Sequence, residues 1–385
     1  MSWILWLGFA LLVTWVVLTF GWHDFWRMDV RLPPAPAIPP SGRWPAVTAV
    51  VPARNEERDV ERALRSLLAQ DYPGPFHVIL VNDGSEDGTG EIARIISRTD
   101  TRLTALDAPP RPEGWSGKVA AMDFGIRHAL SDGKGQQPAF IWLTDADIEH
   151  DPGVLRALVA QAEEGRRGLT SAMVRLHCAG FWEKLLVPAF IYFFFLLYPP
   201  KAVARSDRYA AGAAGGCMLL RTETLHDIGG MESIRDAIID DCALARRVKD
   251  RGWRLWLGLT DSSHSLRRYD TLRDFWSMVS RTAYEQLGHS PVMLAVALAG
   301  LFWTFLMPAL YALGFVFGDP GPHMPGLAAF GLMTATFLPV LRFYGLPRLR
   351  ALLLPLSAIL YGAMTFSSAL SHMTGRGGNW RGRKL

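Results

Sequence analysis

In the stretch IWLTDADIEHD, at residues 141–151, an apolar run ends in acid, with Asp145, Asp147, Glu149 and Asp151 at alternate positions. Alternate residues of an extended segment face the same side. Two carboxylates held together repel unless a cation sits with them. A hard divalent ion such as Mg²⁺ or Mn²⁺ needs only one or two carboxylates and completes its shell with phosphate and water. Asp145 and Asp147 are therefore candidate ligands of Mg²⁺ or Mn²⁺, placed to hold a diphosphate.

Asp83 ends the apolar run of VNDGSEDGT, where a carboxylate can accept a hydrogen bond from a base or ribose. Asn-Asp-Gly-Ser is equally good turn chemistry. Lys118 closes GWSGK ahead of a helical pattern and offers backbone N–H groups and a cation to phosphate. It is not a Walker loop, because the GxxxxGK[ST] spacing is absent. AAGAAGGCMLLRTETL, at 210–225, begins with small residues that permit close backbone approach, to a ligand or to a neighbouring element. Asp240 and Asp241 open the amphipathic pattern of IIDDCALARRVKDRGW. Acids there can cap a helix, and a carboxylate at a site edge can also deprotonate a hydroxyl.

The elements that must position these groups follow from periodicity. Strands are predicted at 48–53, 76–83, 103–108 and 140–147, helices at 55–70 and 118–130, and a turn running into a helix at 84–98. That alternation predicts an α/β domain with a mostly parallel, Rossmann-like sheet and helices on both faces. Ligands bind at the carboxyl ends of such strands, where PARNE, NDGS and TDAD all fall.

The chain has 385 residues, half of them apolar. No charged side chain occurs in 1–22, 291–317, 324–341 or 351–371. Roughly 20 apolar residues as helix cross a bilayer core, so these are four candidate spans. The first lacks the basic start and cleavage site of a signal peptide and reads as an anchor. The run at 185–200 is shorter and flanked by Lys184, Lys201 and Arg205, which suits a helix of about 181–200 lying in the membrane interface. A proline-rich linker fills 32–45, a large middle domain follows it, and a basic tail fills 372–385. Arg27, Arg31, Arg43 and Arg54 after the first span put that domain on the cytoplasmic side. One span before and three after would leave the basic tail outside, so one segment, 324–341, is expected to be re-entrant. Three widely spaced cysteines suggest neither a zinc site nor disulfides. With a net charge of +4 and no basic patch interleaved with aromatics, nucleic acid is not an expected partner.

Taken in order, VVPARNEE, VNDGSEDGT, GWSGKVAAMDFG, TDAD, GGCMLLR and IDDCALARRVKDRGW resemble family 2 glycosyltransferases of the GT-A fold. The resemblance covers roughly residues 46–290. Its wording and membrane plan are most similar to the bacterial hopene-associated glycosyltransferases; ceramide glucosyltransferase-like enzymes are more distant. It implies an inverting, metal-dependent transferase in the bacterial inner membrane, moving a sugar from a nucleotide-sugar, with a UDP-sugar as the expected donor, to a lipid such as a hopanoid. It also implies roles. Pro52, Ala53, Arg54 and Glu56 would line the nucleotide pocket, with Asp83 on the base and Lys118 near phosphate. Asp145 would meet sugar or metal and Asp147 the metal. Asp241 would be the general base and Asp240 would shape the acceptor side. Gly216, Cys217, Arg281 and Tyr284 would belong to the acceptor and diphosphate region. One departure is that SRTAYEQL, at 280–287, stands where membrane relatives often carry Q/R-x-x-R-W, which weakens a processive polymer-synthase reading. A nucleotidyltransferase and a non-catalytic nucleotide-sugar-binding scaffold are the alternatives.

Overall fold

The structure is a computed structural model that describes residues 3–131, 137–207, 209–374, 379–380 and 383–384. Of the basic tail at 372–385, residues 375–378, 381–382 and 385 lie outside the described residues. Two compact units emerge: residues 30–177 with 202–268, and residues 3–29 with 178–201 and the chain from 269 onward. The first unit thus ends at Arg268 rather than at 290, and 178–201 belongs with the apolar helices.

The first unit holds eight strands: β1 (Val47–Ala53), β2 (Phe76–Asn82), β3 (Leu103–Asp107), β4 (Phe140–Thr144), β5 (Ile148–His150), β6 (Arg167–Arg175), β7 (Cys217–Arg221) and β8 (Arg254–Ser265). They form one sheet in the order β3-β2-β1-β4-β7-β6-β8-β5. The β3-β2-β1-β4 half is parallel, as its helical crossovers require. Beyond β4 the sheet is mixed: β7 runs antiparallel to both β4 and β6, whereas β6 and β8 are parallel. β1 is buried along its whole length, as expected of a central strand covered on both faces. Pro52 is tolerated there because the ladder to β4 has already stopped at Val50 and Leu143.

Two boundaries differ from the sequence prediction, both at the rim. The helix after β1 begins at Val60, not at 55. Asn55 takes a left-handed φ of 53°, and residues 55–57 bind the loop after β2 instead of starting a helix. The N–H groups of Asn55, Glu56 and Glu57 donate to Ser85, Thr89 and Asp87. Glu86 and Gly88 donate back to Asn55 and Glu57. The two polar loops are knitted together before either reaches a ligand. In addition, β4 stops at Thr144, and Asp145–Asp147 form a turn closed by the Ile148 N–H on the Asp145 carbonyl. The two aspartates are therefore not alternate residues of one extended strand.

In the second unit, five helical segments among the described residues are long and apolar enough to cross a membrane: Trp3–Gly21, Phe181–Val203, Pro291–Phe317, Pro320–Phe343 and Arg348–Met373. Small residues let them approach closely; a Cβ on Gly8 would lie 3.0 Å from the Tyr311 ring and 3.3 Å from the Gly326 nitrogen. Trp3, Phe20, Val292 and Phe317 remain exposed, as lipid-facing side chains would be. The buried Glu183 carboxylate is satisfied by the N–H groups of Ala179, Gly180 and Tyr269 at 2.8–2.9 Å. It caps its helix rather than marking an ion path.

Candidate active site

Four elements meet at the rim. The turn after β4 carries Asp145 and Asp147. The helix Gly117–Ser131 carries Lys118 in its first turn, the loop before β7 brings Gly215, and the helix Asp240–Asp250 opens with Asp240 and Asp241. The Lys118 ammonium lies 2.8 Å from the Asp145 carboxylate and 3.3 Å from that of Asp240. Asp241 accepts the Gly215 N–H at 2.8 Å on one oxygen and the Cys242 N–H at 2.7 Å on the other. A Cβ on Gly215 would stand 3.3 Å from Asp241 and 3.4 Å from the Lys118 ammonium, so glycine eases the close approach of the backbone there.

The electrostatics follow from burial. Desolvation disfavours the charged form of Lys118, yet Asp145 and Asp240 together hold it well above the usual lysine range. Asp241 is pushed up to about 6, first by burial and then by Asp240; Lys118 pulls the other way. A buried carboxylate near 6 takes up protons close to neutral pH, as a general base must.

The turn bearing the aspartates is propped from beneath. The Thr144 hydroxyl donates to the Gly216 carbonyl and meets His150 Nε2, both at 2.9 Å, and His150 Nδ1 meets the Ser263 hydroxyl at 2.8 Å. Burial lowers His150 to about 3, so it stays neutral and serves as a prop. Asp147 is nearly buried; its carboxylate lies 3.8 Å from the Arg267 guanidinium, and its carbonyl accepts the Leu266 N–H.

The nucleotide-side candidates cluster on the neighbouring loops. Pro52 and Ala53 are buried strand residues, so any ligand contact they make is through backbone. Arg54 is buried as well; its guanidinium donates to the Asp83 and Gly84 carbonyls at 2.7 and 3.2 Å and lies 3.6 Å from Glu86. That side chain braces the two strand ends instead of reaching outward. Glu56 sits in the interlocked loops, and Asp83 follows β2 with its N–H on the Ala53 carbonyl.

Two candidates have buried side chains. Cys217 is fully buried in the core of the sheet, and burial pushes its thiol up to about 12, so its side chain presents nothing to a ligand at the rim. Tyr284 is buried in the helical unit; its hydroxyl donates to the His289 carbonyl at 2.7 Å and its ring packs on His289 and His372. Gly216 allows close packing, since a Cβ would lie 3.2 Å from Val174. Arg281 lies on the helix Leu272–Gln286 of the helical unit. Sequence reasoning missed Gly215 and Arg267. Gly215 was visible as part of the small-residue run, whereas nothing in the spacing of SLRRYD distinguished Arg267.

Among the described residues, no three His, Cys, Asp or Glu side chains gather as a ligand set. A closed structural metal site is thus not formed by those residues. Two rim carboxylates are the donor type and number that a hard ion takes when its remaining ligands come from a diphosphate and water. On that donor chemistry Asp145 and Asp147 fit Mg²⁺ or Mn²⁺.

A mixed, mostly parallel sheet with this acid–lysine rim defines a GT-A glycosyltransferase fold. Residues 48–229 match the family model described as Glycosyl transferase family 2. A 129-residue stretch is 33% identical to the 4,4'-diaponeurosporenoate glycosyltransferase of Staphylococcus aureus (strain USA300), covering 33% of this chain and 31% of that relative. The counterpart in strain MRSA252 is 34% identical over the same length. The chain therefore spans about a third of the length of the curated relatives it matches. Among solved structures, the mannosyltransferase PcManGT from Pyrobaculum calidifontis, in complex with GDP-Man and Mn²⁺, superposes with a TM-score of 0.55. It is 20% identical, over 96% of this chain and 99% of that one, which is a likeness of fold.

Proposed function

We propose that this chain is an inverting, cation-dependent glycosyltransferase that moves a sugar from a nucleotide-sugar to a membrane lipid. One observation carries the reading: Asp241, held by two backbone N–H groups and raised to about 6, lies in one cluster with Lys118, Asp145 and Asp240. In the proposed step the acceptor hydroxyl gives its proton to Asp241. Its oxygen bonds to the anomeric carbon from the face opposite the phosphate. The anomeric C–O bond to the diphosphate breaks, and the nucleoside diphosphate leaves with the electron pair. Lys118 would turn from Asp145 toward that diphosphate. Mg²⁺ or Mn²⁺ held by Asp145 and Asp147 would offset its negative charge. The Mn²⁺ and GDP-Man in the complex of like fold support this assignment.

The apolar helices support a membrane acceptor and a multi-pass protein of the bacterial inner membrane. Three of the five candidate segments are read as crossing helices, with the catalytic domain facing the cytoplasm. Phe181–Leu197 is read as lying in the interface. Strands β6 and β7 flank it in sequence and pair with each other, Leu169 opposite Leu220, so both of its ends return to one side of any bilayer.

The pH profile tests the cluster. The base form of Asp241 exists above about 6, so transfer should rise with pH through an acid limb near that value. The limb belongs to the coupled group and not to one residue. Asp240→Asn removes a repelling charge and should shift the limb to lower pH. Lys118→Met removes an attracting one and should shift it higher. A limb that stays put in both variants would exclude Asp241 as the titrating base.

The reading as a whole is tested by incubating membranes containing the protein with labelled nucleotide-sugars and lipids, among them a hopanoid and 4,4'-diaponeurosporenoate. Label should enter a lipid with release of nucleoside diphosphate. Donor binding without transfer or hydrolysis would favour a scaffold, and release of pyrophosphate would favour a nucleotidyltransferase.

A further inference from the structure

Two consecutive apolar helices run in the same sense. The helix Pro320–Phe343 folds back on Pro291–Phe317: the Tyr311 and His323 rings are 5.5 Å apart, and Tyr192 touches both Phe305 and Phe337, at 6.5 and 5.3 Å. It therefore returns toward the end of that pair where His289 lies. Leu354–Met373 is antiparallel to Pro291–Phe317 as well. A Cβ on Gly362 would meet Leu298 and Leu301 at 3.6 and 3.7 Å, and the His372 ring stacks on His289 at 4.0 Å. Both helices thus head toward the His289 end, with only residues 344–347 and the short turn Arg348–Leu353 between them.

For both to cross, the chain would have to climb back through the bilayer between them. Four extended residues reach at most about 14 Å, and six residues of 3₁₀ helix rise about 12 Å. Together they fall short of the hydrocarbon thickness of ~30 Å. Arg342, Arg348 and Arg350 also hold the link at headgroup level. The last helix then lies along Leu272–Gln286, with Phe275 against Tyr361 and Tyr284 against His372. That neighbour carries Arg273, Asp274, Arg281 and Glu285, which do not belong in hydrocarbon.

We propose that 348–373 does not cross the membrane but docks on one leaflet, leaving residue 374 on the side of the bilayer where residues 344–347 lie. Its occupant is the acyl region of that leaflet. Leu352, Leu356, Ile359, Phe366 and Leu370 form one exposed apolar stripe along it, continuous with the apolar helices beside it. The inference rests on the reading that these helices meet a bilayer. It moves the expected re-entry from 324–341, which is part of one unbroken 24-residue helix, to 348–373. It also places the basic tail where the positive-inside rule wants it.

The test is labelling with a membrane-impermeant maleimide in intact cells, using Asp319→Cys, Leu346→Cys and Thr374→Cys, with the parent chain as control for its native cysteines. Asp319→Cys should label from outside, and Leu346→Cys and Thr374→Cys only after the membrane is opened. Labelling of Thr374→Cys but not Leu346→Cys from outside would overturn the proposal, as would the converse. The fully inverted pattern would uphold it while overturning the cytoplasmic placement of the catalytic domain. A reporter fused after Leu385 gives the same reading without substituting any residue.

Discussion

Asp241→Asn should leave donor binding within a few-fold of the parent and lower transfer by ~10²–10⁴-fold, the range for loss of a general base. The asparagine keeps the size of the side chain, and its carbonyl oxygen can accept the Gly215 N–H, while its NH2 then faces the Cys242 N–H that the second carboxylate oxygen had accepted. It cannot take the acceptor's proton. The substitution should not unfold the protein, and the sign can be worked out. The Asp241 carboxyl titrates at about 6 when folded, above its ordinary value near 3.8. The unfolded chain therefore releases that proton first, and folding carries a penalty that grows from about pH 4 to pH 6 and persists above it. A neutral asparagine removes the penalty but gives up the acceptor for the Cys242 N–H, so at pH 7.5 the melting temperature should stay close to the parent's. Titration calorimetry with the donor, turnover and thermal melting separate the possibilities. Full turnover would exclude Asp241 as the base. Loss of turnover together with a large drop in melting temperature would indicate a structural role instead.

The second large effect concerns the two rim aspartates. Chelation of divalent cations in purified protein should weaken donor binding and reduce turnover by about 10²-fold or more, the scale on which a charge-stabilising group acts in a transferase site. Restoring Mg²⁺ or Mn²⁺ should recover both. Asp147→Ala should imitate chelation and resist rescue by the cation. Asp145→Ala should in addition release Lys118 from its 2.8 Å ion pair. Asp147 is nearly buried, so the alanine variant needs a melting curve beside the binding curve. Donor capture and turnover indifferent to chelator would remove the cation from the reaction.

Much of this was legible before any coordinates. The four parallel strands β1 to β4 follow from short apolar runs bounded by polar turns, because a central parallel strand buried on both faces must be apolar throughout. The acids at the strand ends were legible for the same reason: charge that follows directly on such a run has to emerge at a rim. Missed were β6 and β8, and the antiparallel insertion of β7 that makes the far half of the sheet mixed. Their pairing joins residues as far apart as Leu169 and Leu220, and no local pattern encodes that.

By itself, the sequence determined which residue types were available, roughly where the strands ended, and that several helices were apolar enough for lipid. Those properties are local, set by side-chain chemistry and by periods of two and 3.6 residues. Tertiary structure alone decided that Lys118 stands between Asp145 and Asp240, that Gly215 reaches Asp241, and that Arg54, Cys217 and Tyr284 turn inward. It also decided in which direction each apolar helix runs against its neighbours. Apolarity is a property of each segment, whereas direction relative to a neighbour is fixed only when side chains far apart in the chain pack together.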